Sequence, residues 1–113
     1  MQTWLIWTRE AITNEALEPL VKAMNGYWKD EGGREAVIED GPARVFVSAS
    51  SEMADAYADD VEVMTKQMGQ TPGGVVWINI GHGKGSEVLA EKIANRILSR
   101  WEGILNRNEP PHA

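Results

Sequence analysis

The chain has 113 residues, with 17 Asp and Glu against 11 Lys and Arg, no Cys, and five Trp among only eight aromatics. That length suits one domain with a real core, and the missing cysteine removes disulfides, thiol nucleophiles and Cys-based zinc sites. A net charge of −6 argues against general binding to nucleic acid or to anionic membranes, which need a positive surface.

The opening residues carry no basic leader and only a four-residue apolar run, and no stretch approaches the roughly 20 apolar residues of a membrane span. The expectation is a soluble cytoplasmic protein. Residues 3–8, Thr-Trp-Leu-Ile-Trp-Thr, predict a strand buried on both faces and placed centrally in a sheet. From Thr13, the spacing of Leu17, Leu20, Val21 and Met24 predicts a helix with Thr13 or Asn14 as cap. Pro19 disturbs it, so either the helix starts late with Glu18 as cap or it kinks there. After the polar loop 29–34, residues 35–39 and 43–48 predict a β-hairpin turning at Asp40-Gly41-Pro42.

Ala54, Tyr57, Val61, Met64 and Met68 predict a second helix, opened by Ser50 or Ser51 and closed by Gly69. Residues 75–80, Val-Val-Trp-Ile-Asn-Ile, predict the strongest strand, again apolar on both faces. A third helix follows from Ser86, with Leu89, Ile93, Ile97 and Trp101 as its stripe, and Ile104-Leu105 adds a short edge strand. The order β-α-β-β-α-β-α, with a short final strand, predicts an α+β domain over residues 1–106. Its arrangement is expected to be the ferredoxin-like split βαβ, a mainly antiparallel sheet with helices on one face. Residues 107–113, with two prolines, are expected to be a flexible tail.

The first candidate site is the loop Gly81-His82-Gly83-Lys84-Gly85-Ser86, where a strand meets a helix N-terminus and backbone N–H groups can hold an anion. On that reading Gly81, His82, Gly83, Lys84 and Ser86 bind a phosphate or nucleotide. The loop nevertheless completes neither GxxxxGK[ST] nor GxGxxG, and a flexible connection with a serine cap explains the same residues. His82 has no second histidine or recognisable carboxylate partner, so no acid–base pair or metal site is specified. Asp59 and Asp60 are sequence neighbours about 100° apart on a helix, which does not make a hydrolytic pair. No cofactor is expected.

The second candidate is a charge pattern. Residues 30–62 carry a net −8, whereas 1–29 are neutral and 63–113 carry +2. Glu52, Asp55, Asp59 and Glu62 recur at helical spacing opposite the apolar stripe, giving either an acidic surface for a basic partner or an ordinary solvated helix face. Lys92, Arg96 and Arg100 step by four along the last helix, where its dipole favours cations. Trp77 and Trp101 belong to buried stripes, Trp4 and Trp7 point to opposite faces of their strand with one of them free for solvent or a partner, and Trp28 is the exposed aromatic anchor.

The segment Val75–Ala94, continuing through Arg100-Trp101-Glu102-Gly103-Ile104-Leu105, resembles the C-terminal part of small bacterial immunity proteins, the partners of polymorphic or contact-dependent toxins. The shared texture is a hydrophobic strand, a glycine-and-serine loop, an "LA…IA" helix and a final "W-x-G-I" turn, over about a quarter of the chain. The resemblance implies a toxin-neutralising binder and carries over no catalytic residue. The leading expectation is therefore a protein-binding module using Glu52, Asp55, Asp59, Glu62 and Trp28 against a basic toxin domain. The alternatives are an anion- or nucleotide-binding domain or enzyme built on the glycine loop, and a structural homodimer joined through an exposed sheet face.

Overall fold

A computed structural model describes residues 2–29, 35–52 and 58–107. Its elements are β1 (Gln2–Thr8), α1 (Asn14–Ala23), β2 (Tyr27–Trp28), β3 (Ala36–Asp40), β4 (Ala43–Ser50), α2 (Ala58–Met68), β5 (Gly74–Ile80), α3 (Ser86–Arg100) and β6 (Gly103–Asn106). The strands form one antiparallel sheet in the order β2-β3-β4-β5-β1-β6. This is the expected α+β class.

The finer arrangement is different from the ferredoxin-like expectation. A split βαβ unit leaves one strand between the two that flank its helix; here β4 and β5 both separate β1 from β3. Hairpin pairing carries β3 into β4, and β5 then lies between β4 and β1, with Val47 opposite Ile78 and Trp4 opposite Ile78. β6 pairs with β1 through Trp7 and Ile104, so β1 is interior, as its two-sided apolar run requires.

The helices also occupy both faces rather than one. Leu17, Leu20 and Val21 of α1 and Leu89, Ile93 and Ile97 of α3 join Trp4, Ile6, Val45, Val47, Val76 and Ile78 in the main core. The intervening residues point the other way, and there Met64 and Met68 of α2 close over Leu5, Trp7 and Val75, with Val61, Trp77 and Ile104 at the margin. Trp4 and Trp7 are therefore both fully buried, one in each core, and neither meets solvent.

Helix α1 begins at Asn14 and runs through Pro19. The Thr13 hydroxyl accepts the Ala16 N–H, and Asn14 Oδ1 accepts the Ala49 N–H at 2.8 Å, tying the helix start to β4. The late start at Glu18 does not occur. In the described residues helix α2 runs Ala58–Met68; Ser50 ends β4 and Ser51 and Glu52 belong to no helix, so neither serine is the expected cap, and Ala54, Asp55 and Tyr57 lie outside the described residues. Of the tail, Arg107 is described, and it is anchored: its guanidinium lies 4.3 Å from the centroid of the Trp4 ring and 3.1 Å from Glu91. Residues 108–113 lie outside the described residues. Among the described residues, no helix is long and apolar enough to cross a membrane.

Candidate functional site

The glycine loop connects β5 to α3 and lies against the start of β4. Gly81 N–H donates to the Arg44 carbonyl at 2.9 Å, and Arg44 N–H donates to Ser86 Oγ at 2.9 Å. Ser86 Oγ in turn donates to the Gly83 carbonyl at 2.7 Å, and the residue is 1% exposed. A Cβ at Gly83 would collide with the Pro42 carbonyl, and Gly85, at φ +87°, supplies the left-handed conformation that opens α3. Gly85 rather than Ser86 is the residue preceding the helix, so Ser86 serves as a tether between loop and hairpin instead of as the cap. His82 and Lys84 are exposed and take no part in this tether.

The acidic segment is divided by the fold. On the hairpin, Glu39 Oε1 accepts the Tyr27 hydroxyl at 2.9 Å and Glu39 Oε2 lies 3.3 Å from Arg44. The Tyr27 hydrogen bond, helped by the positive Arg44, holds the Glu39 carboxyl below its ordinary pKa against a partial desolvation. The same bond raises the Tyr27 pKa, because the phenol must keep its proton to donate it. Glu35 pairs with Lys29 and Glu62 with Lys66, both at 3.7 Å. Among the described residues Glu52, Asp59 and Asp60 make no ion pair. Asp59 and Glu62 share the solvent side of α2, but Glu52 sits beyond the end of β4, outside that helix, and Asp55 lies outside the described residues. The expected four-residue acidic row is therefore represented on α2 by Asp59 and Glu62. Among the described residues, no three His, Asp or Glu side chains converge as a metal site would require.

Trp28 is half-buried and packs against the main core, in register with Ala36; the exposed aromatic is its neighbour Tyr27, at 54%. Tyr27 stands on the sheet face that α2 covers at its other end. Across the strands this face runs Tyr27, Val37, Phe46, Asn79 and Thr3, each pair directly opposite the next. Helix α2 covers the other end of the face, over Leu5, Trp7 and Val75. Phe46, half-buried, belongs to neither core, and its ring faces Lys29 Nζ at 5.3 Å. Thr3 donates to Asn79 Oδ1 at 2.7 Å beside it.

The result is an aromatic and amide strip, with the Tyr27–Glu39–Arg44 network on one side and the acidic α2 at the opposite end of the same face. Such a strip offers flat apolar area with polar groups that can redirect their hydrogen bonds to a partner. The strip is not legible in the sequence. Phe46 and Asn79 read as ordinary strand positions, and β2 is a two-residue strand, too short to register as a period. In comparisons with family models, curated protein sequences and solved structures, nothing matched the chain.

Proposed function

We propose that this chain is a non-catalytic protein-binding module of the immunity type, which neutralises a basic toxin domain by docking it on the second sheet face. The single observation that carries the reading is the incomplete cover of that face. Among the described residues helix α2 buries its Leu5–Trp7–Val75 end, while Tyr27 is exposed and Phe46, Asn79 and Thr3 are half-buried around the buried Val37. Asp59 and Asp60, in the first turn of α2, add negative charge without an ion-pair partner among the described residues. They would steer a basic domain toward the strip, and the aromatic groups would supply the desolvated contact.

The resemblance of residues 75–105 to immunity proteins supports the choice of a toxin as partner. The glycine loop supports the anion-binding alternative less well, because the Ser86 hydroxyl is already engaged on both sides. A titration of the purified chain with the product of the adjacent gene tests the proposal, using Asn79→Arg to place a bulky cation in the strip. Binding weakened by about a hundredfold or more is expected, the scale of a lost interface hot spot. Unchanged binding would reject the strip, and a neighbouring gene without a toxin would count against the toxin assignment.

A further inference from the structure

We infer that the opposite side of the molecule, the groove between α1 and α3, is a second docking surface, and that its occupant is an acidic helical segment of a partner protein. The described cations divide unequally. Among the described residues Arg9, Lys22, Lys29, Arg44, Lys66 and Arg107 each form an ion pair, whereas Lys84 of the glycine loop and Lys92, Arg96 and Arg100 of α3 form none. In a chain with six more acids than bases, three unpaired cations on one helix are not accounted for by supply. Carboxylates were available, and the fold holds them elsewhere. The helix dipole alone favours a cation only within the last turn, which covers Arg100 but not Lys92.

Arg96 and Arg100 flank a groove of about 250 Å³ whose other wall is Pro19, Leu20 and Ala23 of α1, with Ser99 between the two arginines. Pro19 and Ala23 are exposed and small, so a second helix can approach closely. The volume lies below the range of roughly 300 Å³ and upward in which drug-sized ligands are buried, which favours a side chain or helix edge over a cofactor. Residues four apart on a helix are about 6 Å apart along its axis. Lys92, Arg96 and Arg100 therefore match a partner helix that carries carboxylates every fourth residue, with a small apolar residue entering the groove. Arg100 is held in place for this by stacking 5.0 Å from the Trp101 ring centroid. Three cations in one row match a few carboxylates on one helix face and are too few to hold a nucleic-acid backbone.

The test is fluorescence anisotropy with a labelled alanine-based helical peptide of about 16 residues bearing Glu at every fourth position, and a twin with Gln in its place. Binding of the Glu peptide alone, weakening with salt as exposed charge pairs do, is expected. The double variant Arg96→Gln/Arg100→Gln should bind it about tenfold more weakly, the scale set by two exposed ion pairs, with an unchanged circular dichroism spectrum. Asp59→Lys, on the other face, should not weaken it. Equal binding of the Gln peptide, or undiminished binding by the folded double variant, would overturn the inference. So would tighter binding of duplex DNA, or of a second copy of the chain, through the same arginines. None of these outcomes depends on the sheet face, so this inference and the proposed function fail separately.

Discussion

Arg44 and Ser86, 42 residues apart in sequence, are joined by a hydrogen bond of 2.9 Å from the Arg44 N–H to the buried Ser86 hydroxyl. This bond fastens the glycine loop and the start of α3 to the central hairpin. Ser86→Ala leaves the Arg44 N–H without its acceptor and should cost about 1–3 kcal/mol in denaturant unfolding. Gly83→Ala, which drives a methyl group into the Pro42 carbonyl, should cost a similar amount. A loss below about 0.5 kcal/mol for both, the range of ordinary surface changes, would show that the loop is not held in this way.

Helix α2 is the whole helical cover of its sheet face among the described residues, and Met64 and Met68 make that contact at 2% and 5% exposure. Met64→Ala and Met68→Ala should each destabilise by about 2–4 kcal/mol. Val63→Ala, one residue away and 52% exposed, should change stability by less than about 0.5 kcal/mol. Chemical denaturation of the three variants checks the ranking; equal effects would contradict the second core.

Glu39 gives a pH signature. Its folded pKa lies below its unfolded value, so the stabilisation is present above the unfolded pKa and is lost as pH falls through the folded one. Tyr27 is raised, so its contribution holds below the ordinary phenol pKa and is lost as pH climbs through the raised value. Tyr27→Phe should return the Glu39 titration, followed by carboxyl NMR, toward the ordinary range. A Glu39 pKa unmoved by that variant would mean Arg44 alone sets it.

Arg107 closes the main core at its edge by lying over the Trp4 ring and pairing with Glu91. Arg107→Ala should cost about 1 kcal/mol, as a cation–π contact and one exposed ion pair together suggest, and should alter Trp fluorescence. No change in either would separate the end of β6 from the core.

The paired runs at 3–8 and 75–80 made the two interior strands legible, because residues apolar on both faces require cover on both. That same requirement already contradicted helices on one face only, and the Met64–Met68 stripe was the missing cover. Strand order was not legible. Whether β1 pairs with β4 or β5 depends on contacts between residues more than 70 positions apart, such as Trp4 and Ile78. The Ser86 tether was hidden for the same reason, since a serine before a helix reads locally as a cap. Trp28 reads as the exposed aromatic although Tyr27 holds that place, because β2 has only two residues and alternation cannot be read from two.

The claim that the Tyr27–Phe46–Asn79 strip of the second sheet face receives a partner is tested most directly by an amide NMR titration of the chain with the product of the adjacent gene. The account predicts that the perturbed signals gather at Thr3, Tyr27, Phe46 and Asn79, with Asp59 and Asp60 responding in a salt-dependent way. Perturbations confined to α1 and α3, with those six residues unmoved, would contradict it.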